Sequence, residues 1–120
     1  MQNTLVLKNL QMPVMLGWSS AERRQSQTVS VEITLQRITP PAGCRTDHLR
    51  DTVCYAALVK HLKEGISGRE FHLLEYLAAE MFHLLKTVLP KRTKLQVSVT
   101  KYPPVEDLAS GVTFSYGQLA

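Results

Sequence analysis

Cysteine is scarce in this sequence, where Cys44 and Cys54 are the only two among 120 residues. Two cysteines are too few for the disulfide framework of a small secreted domain, and too few for a structural zinc site made of cysteines alone. Residues 1–4 also lack the basic segment and the apolar run that begin a secretory signal peptide. We therefore expect a cytoplasmic protein with free thiols.

Three further absences exclude broad classes of function. No apolar run approaches the ~18–20 residues of a membrane span, so we expect no contact with a membrane. The motifs G-x-S-x-G, Walker A and H-E-x-x-H are absent, which argues against the hydrolases, nucleotidases and metalloproteases that carry them. The histidines are never two or four positions apart, so their spacing predicts no metal site. They stand at His48, His61, His72 and His83.

The net charge of the chain is positive but modest. Fourteen basic and ten acidic residues give a net charge of +4, with an isoelectric point near 9.3. The basic residues are scattered, and the densest group, at 91–94, follows Pro90 and is typical of a solvated turn. No aromatic residues that stack on bases alternate with this group. A nucleic-acid-binding protein is therefore disfavoured.

The sequence has enough apolar material for one folded domain spanning residues 1–120. Hydrophobic residues make up 44% of the chain and charged residues 20%, which is ordinary for a globular protein. A chain of this length buries roughly 65% of the surface that it exposes when unfolded. A hydrophobic core alone can therefore hold the fold together.

Hydrophobic periodicity predicts four strands and two helices. Residues 28–35 alternate between polar and apolar side chains, as a half-buried strand does. One helix begins after Asp51 and Thr52 and ends by Gly65, and the next has an apolar stripe at 74–88 that Pro90 ends. The remaining strands are predicted at 4–10, 93–101 and 112–116.

The order of these elements, β-β-α-α-β-β, predicts an α+β fold. Both strand pairs can form antiparallel hairpins, giving a four-stranded antiparallel sheet with the two helices on one face. An open sheet of this kind has two unpaired edges, which favour association with other chains. Pairing of edges between copies, closing a ring, would cover them, so we expect a homo-oligomer.

Four side chains stand out as candidates for chemistry, and each also has a plain structural explanation. Glu75 begins the second helix, where the helix dipole favours an acid, but leucines flank it. Lys101 continues the apolar face of the third predicted strand, either reaching water or holding its amine in a pocket. Glu22 lies in a polar loop and is most simply a solvated carboxylate. Tyr55 is either a core aromatic or a hydroxyl donor with a stacking face.

Five segments of the chain together resemble the dihydroneopterin aldolase family. Their order and spacing match the family over almost the whole length, and the most specific are D-T-V-x-Y, L-L-E-x-L-A and a strand-end lysine followed by prolines. In this sequence the segments are T-L-V-L-K-N-L at 4–10, G-W-S-S-A-E at 17–22, R-T-D-H-L-R-D-T-V-C-Y at 45–55, L-L-E-Y-L-A at 73–78 and V-S-V-T-K at 97–101 before Pro103 and Pro104.

The resemblance implies the tunnelling fold. In that fold the sheets of several subunits join edge to edge into a barrel, as a tetrameric ring, and two rings commonly stack into an octamer. Active sites then lie at the boundaries between subunits. The resemblance implies that one copy supplies Leu74, Glu75 and Lys101. Its neighbour supplies Glu22, Val53 and Tyr55.

The resemblance also implies the reaction, a retro-aldol cleavage in folate biosynthesis. 7,8-Dihydroneopterin gives 6-hydroxymethyl-7,8-dihydropterin and glycolaldehyde. Glu75 would bind the pterin edge, with backbone groups at Leu74 and Val53. Lys101, Tyr55 and Glu22 would carry the catalysis, Glu22 also binding the side-chain hydroxyls of the substrate. The pterin ring itself accepts the electrons, so no metal and no cofactor are expected.

Departures from the family pattern keep other functions open. Leu16 replaces a histidine common before the loop glycine, Tyr102 follows the lysine where proline is frequent, and the last loop, at 105–111, lacks the usual proline-glycine pair. A dihydroneopterin triphosphate 2′-epimerase has the same pocket, and Arg23 and Arg24 beside Glu22 are candidates for its phosphates. A non-catalytic pterin-binding relative is the third possibility. A zinc-dependent tunnelling-fold enzyme is disfavoured, because closely spaced histidines are missing.

Overall fold

We describe the fold from a computed structural model, which describes residues 1–119. The predicted α+β class is confirmed, and so is the order of the four longer strands and the two longer helices. The strands are β1 (Asn3–Leu16), β2 (Gln27–Arg37), β3 (Glu70–Phe71), β4 (Lys94–Lys101) and β5 (Val112–Gly117). The helices are α1 (Ser20–Arg23), α2 (Gly43–Thr46), α3 (Tyr55–Ile66) and α4 (Leu74–Lys86), with a 3-10 turn at Leu49–Asp51.

The sheet has five strands rather than the four predicted, in the order β3-β1-β2-β4-β5. The four longer strands pair antiparallel, and the added strand, β3, pairs parallel to the end of β1 through Met15–Glu70 and Leu16–Phe71. A strand of two residues is too short to show an alternation, which is why periodicity does not predict it. The pairing also explains why β1 continues to Leu16 instead of ending at residue 10.

A bulge divides β1 into two halves. The register with β2 shifts between Leu7, opposite Ile33, and Leu10, opposite Val31. Asn9 lies in this bulge with φ of 51°, in the left-handed region that asparagine tolerates better than most residues. Odd-numbered side chains share the core-side register before the bulge and even-numbered ones after it. The buried residues of the second half are accordingly Met12, Val14 and Leu16.

The hydrophobic core lies between one face of the sheet and the helices. The alternation predicted for β2 and β4 is present, since Val31 and Val97, among others on the same face, are fully buried. Helix α3 contributes Leu58, Leu62 and Ile66 to this core, and α4 contributes its own buried stripe. That stripe is Leu74, Leu77, Ala78, Met81 and Leu85. The longest of these helices has 13 residues, and no helix of residues 1–119 is long and apolar enough to cross a membrane.

The opposite face of the sheet is polar. Hydroxyl groups on neighbouring strands bond to each other across it, Ser98 to Ser115 at 2.7 Å and Thr100 to Thr113 at 2.5 Å. On β1 and β2, Ser30 Oγ donates to Asn9 Oδ1 at 2.7 Å. No helix covers this face within the described residues, so its side chains are suited to contact with water.

The two long edges of the sheet are open in the described chain. Along its outer side β1 pairs only at Met15 and Leu16, and β5 pairs on one side only, with β4. Unpaired strand edges carry free N–H and C=O groups that favour pairing with a further strand. The homo-oligomer remains a prediction, and this arrangement of edges supports it.

Candidate functional site

The carboxyl ends of three strands meet at one end of the sheet. β1 and β4 run in the same direction because β2 is antiparallel to both, and β3 is parallel to β1. The turn after β1 leads to Glu22, the turn after β3 leads to Glu75 at the start of α4, and Lys101 is the last residue of β4. We call this region the carboxyl end of the sheet. Three residues distant in sequence are gathered there by topology.

Glu22 is held by a capping box at the start of α1. Its Oε1 accepts hydrogen bonds from the Ser19 backbone N–H at 3.2 Å and from Ser19 Oγ at 3.0 Å, while Ser19 Oγ accepts from the Glu22 backbone N–H at 3.2 Å. These bonds to Ser19 lower the pKa of Glu22 below 4.5, and the positive charges of Lys101 and Arg23 lower it further. The carboxylate is therefore ionised. Its orientation is set by hydrogen bonds within its own loop, although it is exposed to solvent.

Gly17 is required by the position of Glu22. A Cβ atom at residue 17 would lie 2.3 Å from Glu22 Cβ and 3.1 Å from Glu22 Oε2. Non-bonded contacts of a Cβ atom are essentially never shorter than 3.0 Å, so a side chain at this position would displace the glutamate. The Gly17 backbone N–H also donates to Phe71 O at 2.9 Å, which fixes the turn against β3. The glycine thus has a steric reason to be there.

Lys101 extends the buried face of β4, as its position in the alternation predicts. It follows Val97 and Val99 on that face but is only half-buried, because the strand ends there. Its charge acts on Glu22 of the same chain. The resemblance assigns Glu22 and Lys101 to different copies, and in this structure the two residues of one chain also lie toward the same end of the sheet.

Glu75 occupies the first turn of α4, where the helix dipole favours a negative charge. Leu74, before it, is buried in the core with 6% of its surface exposed, whereas the Glu75 side chain is exposed. The flanking leucines do not bury this carboxylate in the single chain, and Leu73 is itself 48% exposed. A carboxylate held on a rigid helix and open to solvent is available to a ligand.

Val53 and Tyr55 lie toward the other end of the sheet. Val53 lines a small cavity with Asn3 and Leu35, at the beginning of β1 and the end of β2. Tyr55 is 61% exposed and lies beside the first half of β1, up to Gln11. Val53 is level with Leu35, which pairs with Leu95, so at ~3.3 Å per strand residue about 20 Å along the sheet separates Val53 from Lys101. One copy therefore does not bring all the predicted site residues together.

Comparison with known proteins shows the family of this chain. The family model for dihydroneopterin aldolase (FolB) matches residues 5–116, nearly the entire chain. This chain belongs to the dihydroneopterin aldolase family. A relative from Chlamydia trachomatis named "Probable dihydroneopterin aldolase" is 36% identical over 105 residues, covering 85% of this chain and 84% of the relative.

Solved structures show the same fold for this aldolase-family chain. The FolB protein of Vibrio cholerae superposes with a TM-score of 0.84 at 21% identity, covering 98% of each chain. The dihydroneopterin aldolase of E. coli, solved in complex with neopterin, superposes with a TM-score of 0.81 at 20% identity, covering 96% of this chain and 99% of that one. At these identities the likeness establishes the fold alone.

Two features of the aldolase-family chain's site were not predicted. The Trp18 and His72 rings meet edge to face at 5.8 Å, joining the loop of Glu22 to the segment before α4. Arg23, considered from sequence only as a phosphate ligand, instead bonds within the chain. The Trp18–His72 contact and the Arg23–Glu70 bond leave no local signal, because their partners are about 50 residues apart. Among residues 1–119, no group of three histidine, cysteine or acidic side chains is placed to hold a metal ion.

Proposed function

We propose that this chain is a dihydroneopterin aldolase, a lyase of folate biosynthesis that needs no cofactor. The observation that carries the proposal is the gathering of Glu22, Glu75 and Lys101 at the carboxyl end of the sheet. These are the acid, the pterin anchor and the amine that the family resemblance assigns to the reaction. Their presence in a chain that belongs to the family supports catalysis rather than binding alone.

Glu75 is proposed to bind the pterin ring. A carboxylate accepts two parallel hydrogen bonds from neighbouring N–H donors, and the 2-amino group and N3–H of a pterin form such an edge. Because α4 is anchored through the buried Leu74, the backbone that carries this carboxylate has a fixed position. Backbone groups at Leu74, and at Val53 of a second copy, would complete the recognition of that edge.

The proposed chemical step breaks the C1′–C2′ bond of the substrate. A base removes the proton of the 2′-hydroxyl, C2′ becomes the aldehyde carbon of glycolaldehyde, and the electron pair of the broken bond passes into the N5=C6 imine. Lys101 donates a hydrogen bond to N5 and stabilises the charge that develops there. Protonation at C1′ then gives the hydroxymethyl product. Glu22 holds the hydroxyl groups, and Tyr55 of a second copy orients the water that moves the proton.

A second copy is needed to complete this site. Val53 and Tyr55 are separated from Lys101 along the sheet, while both long edges of the sheet are open. Edge-to-edge pairing of copies would bring the Tyr55 end of one chain to the Lys101 end of the next. We propose a tetrameric ring, stacked as an octamer, with four sites in each ring.

The contacts of Arg23 disfavour the triphosphate epimerase. Its guanidinium bonds Gly17 O, Trp18 O and Glu70 Oε1, and its side chain is 14% exposed. An arginine engaged in this way has few donors left for a phosphate chain. Arg24 is exposed and bonds only weakly, to Ser20 Oγ at 3.3 Å, so one basic residue rather than two is available beside Glu22.

The proposal is tested by incubating the purified protein with 7,8-dihydroneopterin and measuring glycolaldehyde. The aldolase releases one glycolaldehyde for each 6-hydroxymethyl-7,8-dihydropterin formed. Faster turnover of the triphosphate, with inversion at C2′, would assign the protein as the epimerase instead. Binding of the pterin without product would identify a non-catalytic relative and contradict the proposal.

A further inference from the structure

Arg23 is the most densely bonded side chain near the carboxyl end of the sheet. One terminal nitrogen, Nη1, donates to Gly17 O at 3.0 Å and to Trp18 O at 2.7 Å, and Nε donates to Glu70 Oε1 at 3.2 Å. With 14% of its side chain exposed, the guanidinium is largely shielded from solvent. Hydrogen bonds from a charged donor are stronger than those from a neutral donor, and shielding from water strengthens them further because the local dielectric constant is lower.

The partners of Arg23 belong to two different parts of the site. Gly17 and Trp18 form the turn between β1 and α1, which holds Glu22 next to Arg23 itself. Glu70 begins β3, and the chain passes from there through His72 directly to α4. Arg23 therefore joins the turn that holds one functional carboxylate to the strand that precedes the other. Both parts are far apart in sequence, so local folding alone does not fix their relative position.

We propose that Arg23 is a positioning residue that clamps the Glu22 turn to β3, so that Glu22 faces Lys101 and the reacting side chain of the substrate. The inference rests on the proposed aldolase function, and it goes beyond the catalytic residues by naming what holds one of them. Helix α1 has four residues and is too short to fix its own orientation. The bonds of Arg23 to the turn and to Glu70 would fix the orientation that the short helix cannot fix by itself.

The direction of Glu22 depends on this turn as a whole. Among residues 1–119 its carboxylate accepts hydrogen bonds only from Ser19, and Ser19 directly follows Trp18, whose carbonyl accepts a hydrogen bond from Arg23. Rotation of the turn would carry Ser19 and Glu22 together away from Lys101. A displacement of about 1 Å at a positioning contact can cost on the order of a hundredfold in rate.

Arg24 offers a matched control for Arg23. It is the next residue, carries the same charge, is exposed and bonds only to Ser20 Oγ. We expect Arg23→Ala to lower kcat by ~10–100-fold while Arg24→Ala leaves it unchanged within about twofold. The affinity for 6-hydroxymethyl-7,8-dihydropterin, which lacks the cleaved part of the side chain, should stay within about twofold in both, because Glu75 and α4 are held by the core. General unfolding would weaken both kcat and this affinity.

Glu70→Gln tests the same clamp from the other side and guards against misfolding of the Arg23 variant. It removes the charge but leaves the two carbonyl bonds of Arg23, so we expect a smaller loss of kcat than for Arg23→Ala. The double variant should be no slower than Arg23→Ala alone, because both changes break one contact. Losses that multiply would show that the two residues act separately and would overturn the clamp.

Fluorescence of Trp18, the single tryptophan of the chain, gives a readout that does not depend on turnover. The clamp predicts lower steady-state anisotropy of Trp18 in Arg23→Ala and in Glu70→Gln, and wild-type anisotropy in Arg24→Ala. If the wild-type protein does not cleave dihydroneopterin, the aldolase proposal fails while this measurement still decides the clamp. Wild-type anisotropy and wild-type kcat in Arg23→Ala would overturn the inference.

Discussion

The ionisation of Glu22 is set by a single neighbouring residue. Ser19 supplies a backbone N–H and a hydroxyl to the same oxygen, Oε1, and these bonds lower the pKa more than the charges of Lys101 and Arg23 do. Because the pKa is depressed in the folded chain, the bonds stabilise the fold above the usual value of 4.5, and this stabilisation is lost as the pH falls through the folded-state pKa. Glu22 is therefore a carboxylate throughout the neutral range.

Replacing Ser19 tests this cause. In Ser19→Ala the hydroxyl bond to Glu22 is lost while the backbone N–H remains, so we expect the pKa of Glu22 to rise partway toward its usual value. NMR titration of the glutamate side-chain carboxyl carbons measures this shift directly. Ser20→Ala is the control, since Ser20 does not bond to Glu22. An unchanged Glu22 pKa in Ser19→Ala would contradict the assigned cause.

We expect Lys101 to contribute a large part of the rate enhancement. Lys101→Met keeps most of the apolar stem and removes the amine, so we expect kcat to fall by ~10²–10⁴-fold, in the range of a lost acid–base or charge-stabilising group. Lys94→Met, at the other end of the same strand and exposed, should leave kcat unchanged. The assay is glycolaldehyde release at saturating dihydroneopterin. A Lys101→Met protein with the wild-type rate would remove this lysine from the mechanism.

Single residues were predictable from sequence where their role is local. The position of Lys101 on the apolar face follows from counting along β4, and the acid at the start of α4 follows from helix polarity. The proximity of Glu22 to Lys101 does not, because it depends on how β1, β2 and β4 are ordered in the sheet. The bond from Arg23 to Glu70, 47 positions away, was likewise beyond any local pattern.

At the scale of elements, the β4–β5 connection is tight where it approaches Lys101. Gly111 has φ of 80°, and a Cβ there would lie 2.5 Å from Lys101 O and 2.8 Å from Tyr102 Cδ1. The first of these neighbours is backbone, which cannot move aside cheaply. Glycine at this position therefore lets β5 begin beside the end of β4, opposite the residue that we assign to catalysis.

Gly111→Ala should lower both stability and activity. It combines the strain of a positive φ with a backbone clash, so we expect a loss of about 2–4 kcal/mol in unfolding free energy and a reduced kcat, because Lys101 is displaced. Gly68→Ala is the control, since Gly68 has φ of 74° but no atom within 4 Å of an added Cβ. Urea denaturation gives the unfolding free energy of both variants, and the difference between their losses is the contribution of the backbone clash beyond that of the positive φ. Equal losses in the two would show that the contact with Lys101 is unimportant.

The elements differ in how far sequence predicts them. β2 and β4 were predicted well because each buries one face and shows a clean alternation. β3 was missed because its two residues are defined by their partners in β1 rather than by any pattern of their own. The short helices α1 and α2 were not predicted, since four residues form a single turn without a recognisable apolar face.

At the scale of the whole molecule, the two parts of the proposed site lie toward opposite ends of one chain. The folded chain is 50 Å long and 29 by 20 Å across. Tyr55 and Val53 lie toward one end, and Lys101, Glu22 and Glu75 lie at the other. A ring of copies reconciles this separation with a single site, and each chain would then contribute to two sites.

Mixing two inactive variants tests this division. Lys101→Met and Tyr55→Ala, unfolded and refolded together in equal amounts, should recover about a quarter of the wild-type activity, because one random neighbour pairing in four combines two intact halves. Each variant refolded alone provides the baseline. Native mass measurement on the same mixture gives the size of the assembly. No recovery in mixed assemblies of the expected size would place Lys101 and Tyr55 in the same copy.

The bulge in β1 determines which positions of the strand face the core. Asn9 switches the buried side chains of β1 from odd to even positions, and the even series ends at Leu16, directly before the turn to Glu22. Loss of the Asn9 codon would remove the extra residue and restore an unbroken alternation that keeps Met12, Val14 and Leu16 on the core face. Loss of a codon between Leu10 and Met12, with the bulge kept, would instead turn these three side chains to the polar face although every catalytic residue is still present. In descendants of this gene, a single-residue deletion in β1 should therefore be tolerated at the bulge and not after it.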